Sequence, residues 1–308
     1  MSKLHHILST KQFLNKELLD TIFGIADQFQ KQDKKNKLKK TLAGKLLASV
    51  FYEPSTRTRF SFEAAMLKLG GEVLSTESAG HFSSAIKGES LEDTIRVIGG
   101  YANAIVLRHH EEGAAERASR VSPVPIINAG DGPGEHPTQA LLDFYTIKRE
   151  LGPHHNLKLG LVGDLLYGRT VHSLIQLLPL IRRVKVFLIS PKGLALPPIY
   201  KAILRNHEIP FFETADLERN LSEIDVLYMT RIQKERFPKN FPYQKVSTAF
   251  VLNKKILSKI RPQTIIMHPL PRNHEVHPEI DFDHRAAYFR QAQNGLYLRM
   301  ALLQIILA

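Results

Sequence analysis

The sequence contains no cysteine. That excludes disulfides, thiolate nucleophiles and cysteine-ligated zinc, and it makes a cytoplasmic location the default expectation. Aromatic residues make up only 8% of the chain, and none interrupts the densest basic run, residues 31–40. That run therefore reads as a solvated connection rather than a nucleic-acid surface, although the formal net charge is +12. No apolar run approaches the ~18 residues of a membrane span. The opening residues carry charges throughout and lack the apolar core of a secretory signal. No nucleic-acid or membrane partner is expected.

What remains is a chain of 308 residues, 43% hydrophobic, long enough for two domains with sizeable cores. Its positive field would also serve small anionic substrates.

The most informative stretch follows the apolar run Leu46-Leu47-Ala48-Ser49-Val50-Phe51. It reads Tyr52-Glu53-Pro54-Ser55-Thr56-Arg57-Thr58-Arg59-Phe60-Ser61-Phe62-Glu63 and continues through Ala64, Ala65, Met66 and Leu67 to Gly70-Gly71. The order is buried strand, polar turn, helix and glycine stop. Phe60, Ala64 and Leu67 recur at helical spacing and are expected to form the buried face. The turn places three hydroxyls and two guanidinium groups where a helix's first N–H groups lack internal partners and its dipole is positive. An ordinary cap with solvated arginines is the alternative. The density of donors favours an anion site, suited to a phosphate.

The rest of the chain alternates. An amphipathic helix is expected over 9–29, and strands over 71–76, 104–107 and 124–128. Helices are expected over 89–99, 111–119 and 136–151. Gly152-Pro153-His154-His155-Asn156 interrupts the pattern and marks a domain boundary. Beyond it, strands are expected over 157–162, 185–189, 225–229 and 264–267. Helices are expected over 169–181, 197–205, 247–260 and 287–308. Two runs of alternating strands and helices imply an α/β protein with two parallel-sheet domains.

Ligands of open α/β sheets bind beyond the carboxyl ends of the strands. The candidates are therefore 55–59, Arg108, His136, 164–170, Arg231 and 268–272. Arg108 alone would pass for a surface arginine. His136-Pro137-Thr138-Gln139 opens a helix with proline in its first turn, and alone would pass for a cap. The glycines at 160, 163 and 168 do not fit a dinucleotide loop. His268, His274, His277, Asp281, Asp283 and His284 lack a metal-binding spacing, and no metal or cofactor is expected.

Taken together, SVFYEPSTRTRFSFE, YANAIVLRH, HPTQALLD, GDLLYGRT, TRIQKER and HPLP resemble the signatures of the aspartate and ornithine carbamoyltransferases, in order along nearly the whole chain. The resemblance implies the transcarbamylase fold, with the C-terminal helix packing back on the first domain. Residues 1–150 with 287–308 would bind carbamoyl phosphate, and 151–286 would bind the amino acceptor. Ser55, Thr56, Arg57, Thr58, Arg108, His136, Gln139, Leu270 and Pro271 would hold carbamoyl phosphate. Arg57, Thr58, Arg108 and His136 would stabilise the reacting group.

Lys87, Arg169, Arg231 and Gln233 would hold the carboxylates of aspartate. Glu53 would orient an arginine such as Arg169. Ser83 and Lys87 would reach into a neighbouring subunit's site, implying a homotrimer with shared sites, and regulatory chains are possible partners. The ornithine enzymes tend to carry a cysteine in an HCLP motif. This chain reads His268-Pro269-Leu270-Pro271, so L-aspartate is the expected acceptor and pyrimidine synthesis the expected context. Glu135 stands where the best-known relatives have glutamine, and its side chain need not point inward.

Overall fold

A computed structural model describes residues 4–77, 79, 88–152, 156–232 and 250–308. Contacts divide the chain into two compact units, Met1–Leu142 with Gln293–Ala308, and Asp143–Ala292.

The first unit is built on four parallel strands: β1 (Leu46–Phe51), β2 (Glu72–Glu77), β3 (Ala104–His109) and β4 (Ile126–Asp131), in the order β2-β1-β3-β4. Its helices are α1 (Lys16–Lys34), α2 (Thr56–Lys68), α3 (Leu91–Gly99) and α4 (Ala114–Val121). Ala48, Val50, Ile105 and Leu107 of the sheet pack with Leu91, Ile95, Ala114 and Ala118 of the helices. β3 and β4 are buried almost throughout, as both-face coverage of a parallel sheet requires.

The second unit is a five-stranded parallel sheet. Its strands are β5 (Leu157–Val162), β6 (Val184–Ile189), β7 (Phe211–Thr214), β8 (Val226–Met229) and β9 (Ile265–Met267), in the order β7-β6-β5-β8-β9. Helices α6 (Arg169–Leu177), α7 (Pro198–Asn206) and α8 (Lys254–Leu257) belong to it. Two aliphatic cores form, one around Leu159, Leu161 and Val186, the other around Val162, Phe187 and Leu227. Alternate residues of β5 and β6 thus feed opposite faces of the sheet.

Two helices run from one unit into the other: α5 (Pro137–Leu151) and α9 (Tyr288–Leu307). The units divide within them, at Leu142/Asp143 and Ala292/Gln293, rather than at the expected 150/151 and 286/287. The reason is packing. Phe144, Ile147 and Leu151 of α5 and Ala287 before α9 enter a core of the second unit. Farther along α9, the Tyr297 hydroxyl bonds Asp33 at 3.0 Å and Arg299 lies 5.0 Å over the Phe62 ring, both in the first unit.

Several expectations change. The amphipathic segment over 9–29 is a 3-10 turn, Thr10–Phe13, followed by α1, because Ser9 and Asn15 each cap a separate helix start. α1 runs to Lys34, so part of the basic run is helical. The expected buried face of α2 is its exposed one. Phe60 and Leu67 are 53% and 55% exposed, whereas Phe62, Ala65 and Met66 are buried. Both stripes have helical spacing, so docking against the sheet decides between them. Only Lys254–Leu257 of the expected 247–260 helix is helical among the described residues; Leu252 instead bridges Val276. The short edge strand β7 was missed altogether, because four partly exposed residues carry no periodic signal.

Candidate active site

In the first unit the strand order reverses between β1 and β3, a topological switch point. Phe51 pairs with Arg108 across it, and the Tyr52 N–H donates to the Arg108 carbonyl at 2.8 Å. The phosphate-type turn and Arg108 therefore emerge side by side. Ser55 precedes α2 with φ −158, and its hydroxyl makes no capping bond. The first turn of α2 contains no acid, while Arg57 sits there exposed and Thr58 buried. Cations in the first turn oppose the helix dipole, a cost that a bound anion offsets.

Arg59 does not share that environment. Its guanidinium pairs with Glu77 at 3.1 Å and Glu63 at 3.8 Å and bonds the Ser75 hydroxyl at 3.1 Å. It ties α2 to β2, so only one of the two expected guanidinium forks belongs to the turn. One helical step of about 100° per residue separates the faces of neighbouring side chains. Glu53, expected to orient an arginine such as Arg169, pairs with Arg108 at 3.2 Å. Arg108 also donates to the Ala129 carbonyl at 3.2 Å, which spans β4. Only the β1–β3–β4 pairing brings these groups together, so no local signal reveals them.

His136 follows β4 through a tight loop. The Asp131 carboxylate accepts the N–H groups of Glu135 and Gly113 at 2.9 and 3.2 Å. Burial raises the Asp131 pKa, and these hydrogen bonds oppose that rise. Gly132 has φ 53, and a Cβ there would lie 2.2 Å from the His110 carbonyl, so the turn needs glycine. Glu135 points at the chain's opening segment: Ser9 Oγ donates to it at 3.0 Å and the Thr10 N–H at 2.6 Å. His136, Thr138 and Gln139 are buried at the start of α5.

The second unit repeats the device. Its order reverses between β5 and β8. Gly163 follows β5 with φ 109, where a Cβ would lie 2.5 Å from the Thr230 carbonyl. That close approach brings the loop leading to Arg169 beside the one leading to Arg231. Thr230 donates its N–H and its hydroxyl to the Val162 carbonyl, each at 2.8 Å. Arg169 is the first residue of α6, again with no acid in the first turn. Arg231 is half-buried and followed by the buried Ile232.

Past β9, Leu270 has φ 48 and a cis bond to Pro271. Arg272 pairs with Asp281 and donates to the Tyr288 hydroxyl at 3.0 Å, which ties the loop to α9. Asp283 chelates Arg285, which holds its pKa down at about 2. Among the described residues, no group of three or more His, Cys, Asp or Glu is placed to hold a metal.

The first unit gathers Ser55, Thr56, Arg57, Thr58 and Arg108 at one switch point, with His136 and Gln139 after the adjoining strand β4. The second gathers Arg169 and Arg231 at the other, with Leu270 and Pro271 after β9. Ser83, Lys87 and Gln233 lie outside the described residues.

Two parallel-sheet units, each with cations and hydroxyls at its switch point, define a protein that handles small anions with positioned donors. The chain belongs to the aspartate/ornithine carbamoyltransferase family: the carbamoyl-P binding domain matches residues 5–149 and the Asp/Orn binding domain residues 155–306. It is 50% identical to aspartate carbamoyltransferase 2, chloroplastic, of Pisum sativum, over 99% of this chain and 79% of that protein. It is 48% identical to the aspartate carbamoyltransferase catalytic subunit of Methanococcoides burtonii, over 98% and 97%. Among solved structures, the catalytic subunit of M. jannaschii aspartate transcarbamoylase superposes with a TM-score of 0.91 at 48% identity, covering 98% of this chain and 97% of that one. The Trypanosoma cruzi aspartate transcarbamoylase in complex with carbamoyl phosphate and aspartate gives 0.92 at 38% identity, covering 99% and 98%.

Proposed function

We propose that the chain transfers the carbamoyl group of carbamoyl phosphate to the amine of L-aspartate, giving N-carbamoyl-L-aspartate and phosphate, a step of pyrimidine synthesis. The observation that carries this reading is the near-half identity, across both units, to proteins named aspartate carbamoyltransferase. The two cationic switch points support it, because both substrates are anions.

In this reading the first α2 turn and the side chains of Ser55, Thr56, Arg57 and Thr58 hold the phosphate. Arg108 bridges phosphate and carbonyl. The amine lone pair attacks the carbamoyl carbon, the C–N bond forms and the bond to the phosphate oxygen breaks. The proton lost by the amine leaves with the phosphate. As the carbonyl oxygen gains charge, Arg108, His136 and Thr58 stabilise it. Gln139 and the carbonyls of Leu270 and Pro271 orient the carbamoyl amide. Arg169, Arg231, Lys87 and Gln233 hold the aspartate carboxylates, two of them by guanidinium forks matched to that shape. The displacement requires no cofactor, since the phosphate is already an activated leaving group, and much of the acceleration comes from positioning.

The homotrimer belongs to the same reading, with Ser83 and Lys87 serving a neighbour's site. Mixing a Lys87→Ala chain with a His136→Ala chain is expected to restore activity that neither has alone. No restoration in a verified mixed oligomer rejects shared sites. For the reaction itself, carbamoyl phosphate is offered with L-aspartate or L-ornithine, and ureido products are measured colorimetrically. Carbamoyl-aspartate is expected; a preference for ornithine, or no product, rejects the assignment.

A further inference from the structure

The aliphatic interior of the second unit contains a buried string of polar groups that binding and chemistry do not explain. Asp143, on α5, is wholly buried. One of its carboxylate oxygens accepts the Tyr228 hydroxyl at 2.6 Å, and the other accepts the Gln291 amide at 2.6 Å. Tyr228 is also fully buried, and the side chain of Thr170, next to Arg169, is close enough to oppose the rise that burial and Asp143 give its pKa. It lies on β8, three residues before Arg231.

The Gln291 side-chain carbonyl accepts the His268 backbone N–H at 2.9 Å. His268 Nδ1 accepts the Leu270 N–H at 2.8 Å, so Nε2 carries the proton toward Glu275, 2.8 Å away. Glu275 in turn accepts the Asn273 N–H at 3.1 Å. Burial acts to raise the Glu275 pKa, but the hydrogen bond from His268 leads the opposing effects, and the net shift is downward.

A buried carboxylate is a costly choice for core stability. An apolar side chain of similar volume usually serves as well or better. Phe144, Ile147 and Leu151 fill neighbouring positions of the same helix in that way. What a carboxylate adds is direction: it fixes two donors at set angles, one on strand β8 and one on helix α9, and the second leads on to His268 beyond β9. We propose that Asp143 is a positioning residue whose two oxygens set separate arms of the site, through Tyr228 the Thr170 and Arg231 segments, and through Gln291 and His268 the Leu270–Pro271 loop. The inference rests on the proposed carbamoyl transfer, because it assigns the first arm to aspartate and the second to carbamoyl phosphate.

The test is steady-state kinetics with each substrate varied in turn, preceded by confirmation that the unaltered protein forms carbamoyl-aspartate. Tyr228→Phe removes one hydroxyl and is expected to raise the aspartate KM about tenfold while leaving the carbamoyl phosphate KM within about twofold. Gln291→Leu should do the reverse, raising the carbamoyl phosphate KM and lowering kcat. Asp143→Asn, which retains the shape but only one acceptor, should disturb both, and adding Tyr228→Phe to it should bring less than the product of the two separate losses.

Variants that melt earlier but keep both KM values and kcat would mark the string as purely structural and overturn the proposal. So would equal effects of Tyr228→Phe and Gln291→Leu on the two substrates. If Asp143→Asn does not fold, the two single-arm variants decide alone. An unaltered protein that makes no carbamoyl-aspartate rejects the proposed function, and the arm assignment falls with it.

Discussion

The two units solve one problem in different ways. Both are open parallel sheets with a switch point, and both start a helix with an arginine in its first turn and no acid beside it. In the first unit the neighbouring guanidinium groups are steadied by partly exposed acids: Glu53 for Arg108, and Glu63 with Glu77 for Arg59. In the second, the strand tips rest on a buried string centred on Asp143. A phosphate is gripped by many backbone N–H groups at a helix end, and that arrangement tolerates small side-chain displacements. A dicarboxylate held by two forks has fewer donors, each directional. The second unit accordingly carries the more buried support.

The largest test of this contrast is Arg57→Ala. Removing a charge that the proposed function sets against the transferring group is expected to lower kcat/KM by about 10²–10³-fold. Because Arg57 is exposed, stability should change by less than about 0.5 kcal/mol, checked by chemical unfolding. Near-normal turnover would remove the first unit from the phosphate side of the comparison.

Next comes Arg231→Ala, expected to raise the aspartate KM by about 10²-fold and leave the carbamoyl phosphate KM nearly constant. An unchanged dependence of rate on aspartate would take the dicarboxylate away from the second unit.

His109 sharpens the contrast through pH. Burial, with the nearby charges of His110 and Arg117, depresses its pKa to about 4, against the opposing pull of Glu111 and Glu53. A base with a depressed folded pKa binds its proton more readily when unfolded. Its contribution to stability is therefore complete above pH ~6.5 and is lost as pH falls through about 4. Thermal unfolding of His109→Asn should accordingly fall less steeply than that of the unaltered protein between those limits. Parallel curves would mean that burial and the neighbouring charges do not hold the imidazole neutral.

The smallest effect is expected from Arg59→Ala. Its ion pairs tie α2 to β2, so stability should fall by about 1 kcal/mol while kcat/KM stays within about twofold. A rate loss matching that of Arg57→Ala would return Arg59 to the anion site.

Much of this was legible in the chain itself. The alternation of strands and helices, the break at 152–156 and the polar residues after strands are local patterns, and the strand tips at 55–58, 108, 169 and 231 fall where those patterns put them. The phase of α2 was not legible, because Phe60 with Leu67 and Phe62 with Ala65 offer two apolar stripes of equal merit. The separate duties of Arg57 and Arg59 were not legible either, since two identical side chains two residues apart differ only in what surrounds them.

The sequence by itself determined the class of fold, most of the succession of elements and the family, because each rests on periodicity or short motifs read within a few neighbouring residues. Tertiary structure alone decided which arginine ties α2 to β2, which acid steadies which cation and which carboxylate joins distant segments. Asp143 and Tyr228 are 85 positions apart, and Asp143 and Gln291 are 148 apart. No local pattern relates such residues; folding the two sheets brings them within hydrogen-bonding reach.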